Sequence, residues 1–204
     1  MIDLLPALNA YVEQIQNRPI ALDRQEVLVP LIDYLQTRLR ESGRANLNFI
    51  CTHNSRRSQF AQIWAQTAAN YHGLPVHCYS GGVEVTAFNE RAVASVKRSG
   101  FQVEAQGGGN PLYLVSYSSE ETPIRVFSKV FDDSENDAKQ FAAIMTCDHA
   151  DENCPFIPGT EQRIPVRFED PKAYDDTPLE AEKYDERSLQ IATEMFYVFS
   201  KISN

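Results

Sequence analysis

Basic residues are scarce in this chain. Lysine and arginine number 19 against 28 aspartates and glutamates, a formal net charge of −9. So acidic a surface argues against nucleic acid or an anionic membrane as a main partner, because both are held by basic patches. Long apolar runs are missing too. None reaches the roughly 20 residues that span a bilayer, and Asp3, Pro6 and Glu13 interrupt the N-terminus where a secretory leader needs an unbroken apolar core. Cysteine is sparse, with four in 204 residues. That fits catalytic or redox use in a reducing compartment better than a disulfide scaffold, and it predicts a cytoplasmic protein. Neither internal repeats nor low-complexity segments are evident. The remaining composition, 43% hydrophobic and 23% charged, is that of a globular chain long enough for one sizeable core.

The stretch that organises the chain runs from Ile50 to Ser58. Leu47, Phe49 and Ile50 suit a short buried strand, and Phe60, Ala61, Ile63 and Trp64 recur at helical spacing. The polar residues between, Cys51, Thr52, His53, Asn54, Ser55, Arg56 and Arg57, then form a loop that delivers backbone N–H groups to a helix N-terminus, a geometry that binds a tetrahedral oxyanion. Cys51 and Arg57 stand in a C-x5-R arrangement followed by Ser58. N–H groups, the helix dipole and a guanidinium all favour thiolate over thiol. Arg57 can hold two oxygens of one anion, Ser58 is placed to donate to the sulfur, and the Asn54 amide can brace the loop. The bland alternative is a buried strand-end cysteine with surface arginines.

Ahead of this stretch, Leu8, Val12 and Ile15, then Val27, Leu31 and Leu35, mark two amphipathic helices. Asp23 with Glu26 predicts a capping box, Pro30 a kink or division of the second helix, and Gly43 its stop. After it, 75–80 reads as a second parallel strand broken by Gly81-Gly82, with Cys78 as inert packing and His77 as an ordinary strand histidine. A helix over 89–98 follows. Leu112–Tyr117 and Ile124–Phe131 alternate as the strands of a hairpin inserted at about 107–132. Phe141–Thr146 and Ile164–Phe168 predict a third and a fourth central strand, and the residues from about Pro178 a long closing helix. Cys51, Cys147 and Asp170 thus fall just past strand C-termini, the edge where sites assemble in open α/β sheets.

The loop Cys51-Thr52-His53-Asn54-Ser55-Arg56-Arg57-Ser58-Gln59 resembles the phosphate-binding loop of the low-molecular-weight tyrosine phosphatase superfamily, and more closely that of its thioredoxin-coupled arsenate reductases. Two further segments extend the resemblance over about residues 46 to 200. Cys147 to Pro155, with Cys154 seven residues beyond Cys147, resembles the redox segment of those reductases, and Glu169-Asp170-Pro171 the loop that carries the family's acid. The resemblance implies an α/β fold with an open four-stranded parallel sheet flanked by helices, residues 46–204 forming the catalytic domain and 1–45 a helical extension.

It also implies roles. Cys51 attacks arsenate held by the loop and Arg57, Asp170 protonates the departing oxygen, Cys147 attacks Cys51, and Cys154 resolves onto Cys147. Thioredoxin, or a glutaredoxin, then serves as external reductant with no bound cofactor. The chief rival is a phosphatase that hydrolyses phosphotyrosine or another phosphate monoester through a phosphocysteine, using Cys51, Arg57 and Asp170 alone. A non-catalytic sensor of an oxyanion or of redox state is the third reading. Against the phosphatase, 170–174 lacks the adjacent tyrosine pair of signalling phosphatases.

The chain departs from the reductase pattern at three positions. His53 stands where glycine is expected, Arg56 where cysteine is common, and Gln62 where some relatives carry a glutamate linked to a monovalent cation, so no such cation site is expected. Cys147, His149 and Cys154 are zinc-capable donors, but a fourth is not apparent, and no metal is expected.

Overall fold

The computed structural model describes residues 2–136, 139–153 and 157–203. Cys154, assigned above as the resolving thiol, lies outside the described residues. Two helices come first, α1 (Pro6–Gln16) and α2 (Leu22–Ser42). Leu8, Val12 and Ile15 form the buried stripe of α1, and Leu28, Leu31, Tyr34 and Leu35 that of α2. Gly43 ends α2 in the left-handed region, φ 69°, donating to the Leu39 carbonyl.

Two expectations about α2 are corrected. Its N-cap is Ala21, without a side-chain cap, so Asp23 lies inside the first turn and meets the helix dipole as a charge. Pro30 does not divide the helix, which runs unbroken for 21 residues. Pro30 sits on the exposed side, where water can serve the carbonyl that a proline leaves without a donor.

The chain then enters β1 (Ala45–Cys51), buried at every position, and returns through α3 (Arg57–Tyr71) to β2 (Val76–Gly82), which pairs parallel with β1. Gly81 and Gly82 do not break β2, as their sequence suggested. They lie within it because a Cβ on Gly81 would stand 2.2 Å from the Phe131 backbone, and one on Gly82 2.8 Å from the Asn54 nitrogen. Next, α4 (Glu90–Arg98) is capped by the Asn89 side chain.

A small antiparallel sheet follows, β3 (Gln102–Gln106), β4 (Leu112–Ser116) and β5 (Ile124–Val126). β4 and β5 pair as the expected hairpin, but β5 ends at Val126, five residues short of the predicted strand. β3 is an addition that sequence periodicity missed, since four of its five residues are exposed. The chain returns to the main sheet with β6 (Phe141–Met145), passes through the short α5 (Asp148–Asn153) to β7 (Thr160–Pro165), and ends in α6 (Glu180–Ser200).

The main sheet is parallel, in the order β2-β1-β6-β7. β7 starts and stops earlier than predicted, although Val166 and Phe168 still donate to the carbonyls of Met145 and Thr146. The large core includes residues of α1, α2, α3, α4 and α6 together with Leu47 and Phe49 of β1. Trp64 is wholly buried there: it stacks on Tyr11 of α1 (5.7 Å, 18°), meets Phe101 edge-on and donates to Ser188 of α6 at 2.9 Å. Arg24 of α2 pairs at 2.6 Å with Glu194 of α6, which is almost fully buried. A separate small cluster joins Ile50, Cys51, Met145, Cys147, Ala150 and Ile157. Among the described residues no helix is long and apolar enough to cross a membrane.

Candidate active site

β1 delivers Cys51 to the sheet's C-terminal edge with 4% of its surface exposed, and α3 begins at Arg57. The loop between them is held by its carbonyls. Those of Cys51 and Thr52 accept from the N–H groups of Val83 and Glu84, and that of His53 from the hydroxyls of Ser128 and Thr86. The carbonyl of Asn54 accepts from Gln59, that of Ser55 from the Asn89 N–H, and that of Arg56 from the Phe60 N–H. Among the described residues no protein acceptor meets the N–H groups of Thr52 to Arg57. Carbonyls tied outward and amides left without acceptors make a cradle for an anion.

Asn54 is the internal brace. Its φ of 46° lies in the left-handed region, which asparagine tolerates better than most residues. Its buried amide donates to Ser58 Oγ at 2.9 Å, while its Oδ1 accepts from the Lys129 N–H at 3.0 Å and from Gln59 Nε2 at 3.2 Å. Ser58 Oγ lies 3.0 Å from Cys51 Sγ. The segment after β5 grips the loop from behind, because Phe127 O accepts from Gln59, Ser128 Oγ donates to His53 O, and the Lys129 N–H meets Asn54.

Arg57 is aimed by Phe168 O, which accepts from Nη1 at 3.0 Å, and by Asp170 Oδ2, which accepts from Nη2 at 2.7 Å. Its buried Nε has no hydrogen-bond partner among the described residues. Asp170 also caps the 3₁₀ turn Pro171–Tyr174, accepting from the Lys172 N–H at 3.0 Å. Arg56 turns the other way. Its Nε donates at 2.8 Å to Tyr184 Oη, which donates in turn at 2.7 Å to Asp175. Ser55 Oγ donates to Ala87 O, and the half-exposed His53 ring lies 3.3 Å from Glu84. The side chains of His53, Ser55 and Arg56 are thereby committed to neighbouring elements.

Cys147 stands at the end of β6 and is buried. Its Sγ accepts from the Ala150 N–H at 3.4 Å and lies 3.6 Å from Thr52 Oγ1, the residue next to Cys51. Thr52 Oγ1 is also 3.3 Å from His149 Nδ1. Asp151 pins this segment to the strand beyond it, accepting from Arg163 Nε at 2.9 Å and from Arg167. Burial alone would raise its carboxyl, but hydrogen bonds from Arg167 and Arg163 outweigh burial and hold it below the usual range. Cys78 is buried in β2, away from this edge, and burial pushes its thiol up. Among the described residues no group of three or more histidines, cysteines or carboxylates is placed to hold a metal ion.

Sequence reasoning missed Gln59, Lys129, Tyr184 and Asp175. Gln59 directly follows the loop and was legible as a polar residue opening a buried helix. The others act across at least 70 residues of chain, and no local pattern marks them.

A family model described as low molecular weight phosphotyrosine protein phosphatase matches residues 46–108. An arsenate reductase of Halalkalibacterium halodurans is 30% identical over 123 residues, covering 60% of this chain and 71% of that protein. Arsenate reductase 1 of Staphylococcus saprophyticus is 30% identical over 130 residues, covering 63% of this chain and 79% of that protein. Among solved structures, an arsenate reductase in the phosphate binding state superposes with a TM-score of 0.51 at 19% identity, covering 78% of this chain and 99% of that one. A low molecular weight phosphotyrosine phosphatase from Vibrio cholerae O395 gives a TM-score of 0.50 at 14% identity, covering 76% of this chain and 94% of that one. At these identities the two structures bear on the fold alone.

Proposed function

This chain belongs to the low molecular weight phosphotyrosine protein phosphatase family, and from that premise we propose that it reduces arsenate to arsenite in the cytoplasm, with residues 46–204 as the catalytic domain and 1–45 as a helical extension. The supporting observation is the loop itself. Its carbonyls are occupied, its N–H groups and the buried Arg57 Nε lack acceptors among the described residues, and Cys51 Sγ lies at the loop's mouth beside Ser58. A tetrahedral oxyanion supplies the missing acceptors, and the sulfur becomes its nucleophile.

Cys51 thiolate attacks arsenic(V), forming an S–As bond as one oxygen leaves with a proton from Asp170. Cys147 thiolate then attacks Cys51 Sγ. The S–S bond forms, and the S–As electron pair departs with arsenic, which leaves as arsenite. Cys154 attacks Cys147, freeing Cys51, and thioredoxin or a similar dithiol reduces the Cys147–Cys154 disulfide. Cys147 within 3.6 Å of Thr52 favours this relay over simple phosphate-ester hydrolysis, which needs no second thiol.

The test is arsenite release with thioredoxin, thioredoxin reductase and NADPH. Wild type should turn over, while Cys147→Ser and Cys154→Ser should each reduce turnover to background. Aryl-phosphate hydrolysis that survives both substitutions, with no arsenite from any variant, would leave a phosphatase instead.

A further inference from the structure

A cleft of about 390 Å³ opens between α3, β2 and the segment that follows β4, and none of residues 51–58 lines it. Its size lies within the range of small-molecule sites, roughly 300–1,000 Å³. Gln62 and Gln66 of α3 face it from successive turns, and their amides are already served. Gln62 donates to Arg125 O and accepts from Ser80, while Gln66 donates to Val76 O and accepts from the Cys78 N–H. The cleft's polar walls are therefore fixed in place before anything binds.

Lys129 is the exception. It is 3% exposed and lines the cleft. Its Nζ lies 4.7 Å from the centre of the Phe127 ring. Among the described residues it has no hydrogen-bond acceptor and no carboxylate within ion-pair distance. An ammonium carries three donors, and with the stem buried and the nitrogen itself open to the cleft, these donors face the cleft rather than the protein. Desolvation pulls its pKa down to about 8, against the weaker opposing pull of Asp133 and Glu135, so the group is mostly charged at neutral pH.

We propose that this cleft is a binding site for a small organic monocarboxylate, whose carboxylate meets Lys129 while its apolar body lies against Phe127 and Pro123. The charges around the cleft favour a single negative charge. Arg125 is paired with Glu135 at 3.3 Å, and Glu121 adds a further carboxylate, so a multiply charged anion meets repulsion that a monoanion largely escapes. The site adjoins the catalytic machinery through one residue, because the backbone N–H of Lys129 holds Asn54 Oδ1 at 3.0 Å.

The test is titration of ¹⁵N-labelled protein with sodium benzoate at pH 7 and constant ionic strength, with inorganic phosphate saturating the catalytic loop and benzamide as the uncharged comparison. Benzoate should give saturable amide shifts over 124–129 and along α3 from Gln62 to Asn70, and benzamide should bind at least about tenfold more weakly. Lys129→Met keeps the length and apolar stem while removing the charge. It should weaken benzoate at least about tenfold and leave the melting temperature equal or higher, since a partly desolvated charge has gone. Absence of saturable shifts in wild type, equal binding of benzamide, undiminished binding to Lys129→Met, or shifts confined to 51–58 and relieved by phosphate would each overturn the site.

Discussion

The two thiols that meet at the sheet edge are held in opposite ways. Around Cys51, six consecutive carbonyls have donors from four parts of the chain, and Asn54 fills three hydrogen bonds from a wholly buried position. Around Cys147, a six-residue helix rests on a small apolar cluster and is tied to Arg163 and Arg167 by charge, through Asp151 and through Asp148, which pairs with Arg167 at 2.8 Å. The first arrangement fixes donors before charge develops on a bound anion, so no reorganisation is needed at the moment of reaction. The second rests on ion pairs at one face of a short helix, which acid or a single substitution can weaken without touching the loop. Under the proposed relay, a nucleophile held in place and a second thiol that reaches two partners would call for these different supports.

The largest effect expected from breaking the comparison is at Arg57. Arg57→Lys keeps the charge but loses the fork that Phe168 O and Asp170 aim, so kcat/KM should fall on the order of 10²–10³-fold. Steady-state kinetics near wild type would mean that loop geometry is not what the sheet edge was built to provide. Next comes Asn54→Ala. It strands the Lys129 N–H and removes the partners of Ser58 and Gln59, at a cost of about 2–4 kcal/mol in urea unfolding.

Asp151→Asn sharpens the contrast from the other side. Amide protection over 147–153 should fall roughly tenfold while that of the residues around Asn54 holds, as hydrogen exchange would read. Acid acts on the same group. Because its folded carboxyl lies below the ordinary value, the pairing with Arg163 and Arg167 is complete above about pH 4 and is lost as pH falls through the lower folded value. Protection of 147–153 should therefore drop selectively on acidification in wild type and stay flat in Asp151→Asn. The smallest effect is at Tyr184→Phe, which removes the hydroxyl between Arg56 and Asp175 and should cost about 1 kcal/mol, with turnover changed only a few-fold.

What the sequence made legible was whatever short-range pattern encodes. The strand, loop and helix around Cys51 follow from residues within one turn of each other, and Cys147 and Asp170 fell at the same edge because each follows an apolar run. Gly81-Gly82 misled for the opposite reason. Their meaning lies in Phe131 and Asn54, which approach too closely for any side chain, and nothing nearby in sequence announces that. Pro30 was read as a break because the pattern did not tell that it sits on the solvent side, and β3 went unseen because an exposed strand has no apolar period to detect. Arg56 was counted as charge for the anion. Its charge stays within 4.0 Å of Asp170, and what the sequence did not show is the partner that holds it, Tyr184, 128 residues away.

Trp64 is the chain's single tryptophan, and it sits where α1 meets α3 and α6 rather than at the sheet edge. The molecule therefore carries an intrinsic optical probe of how its N-terminal helix is seated. Its emission reports docking of Tyr11 against the indole ring, so spectral drift during preparation or mutagenesis signals a loosened N-terminus while the catalytic loop remains dark to that wavelength.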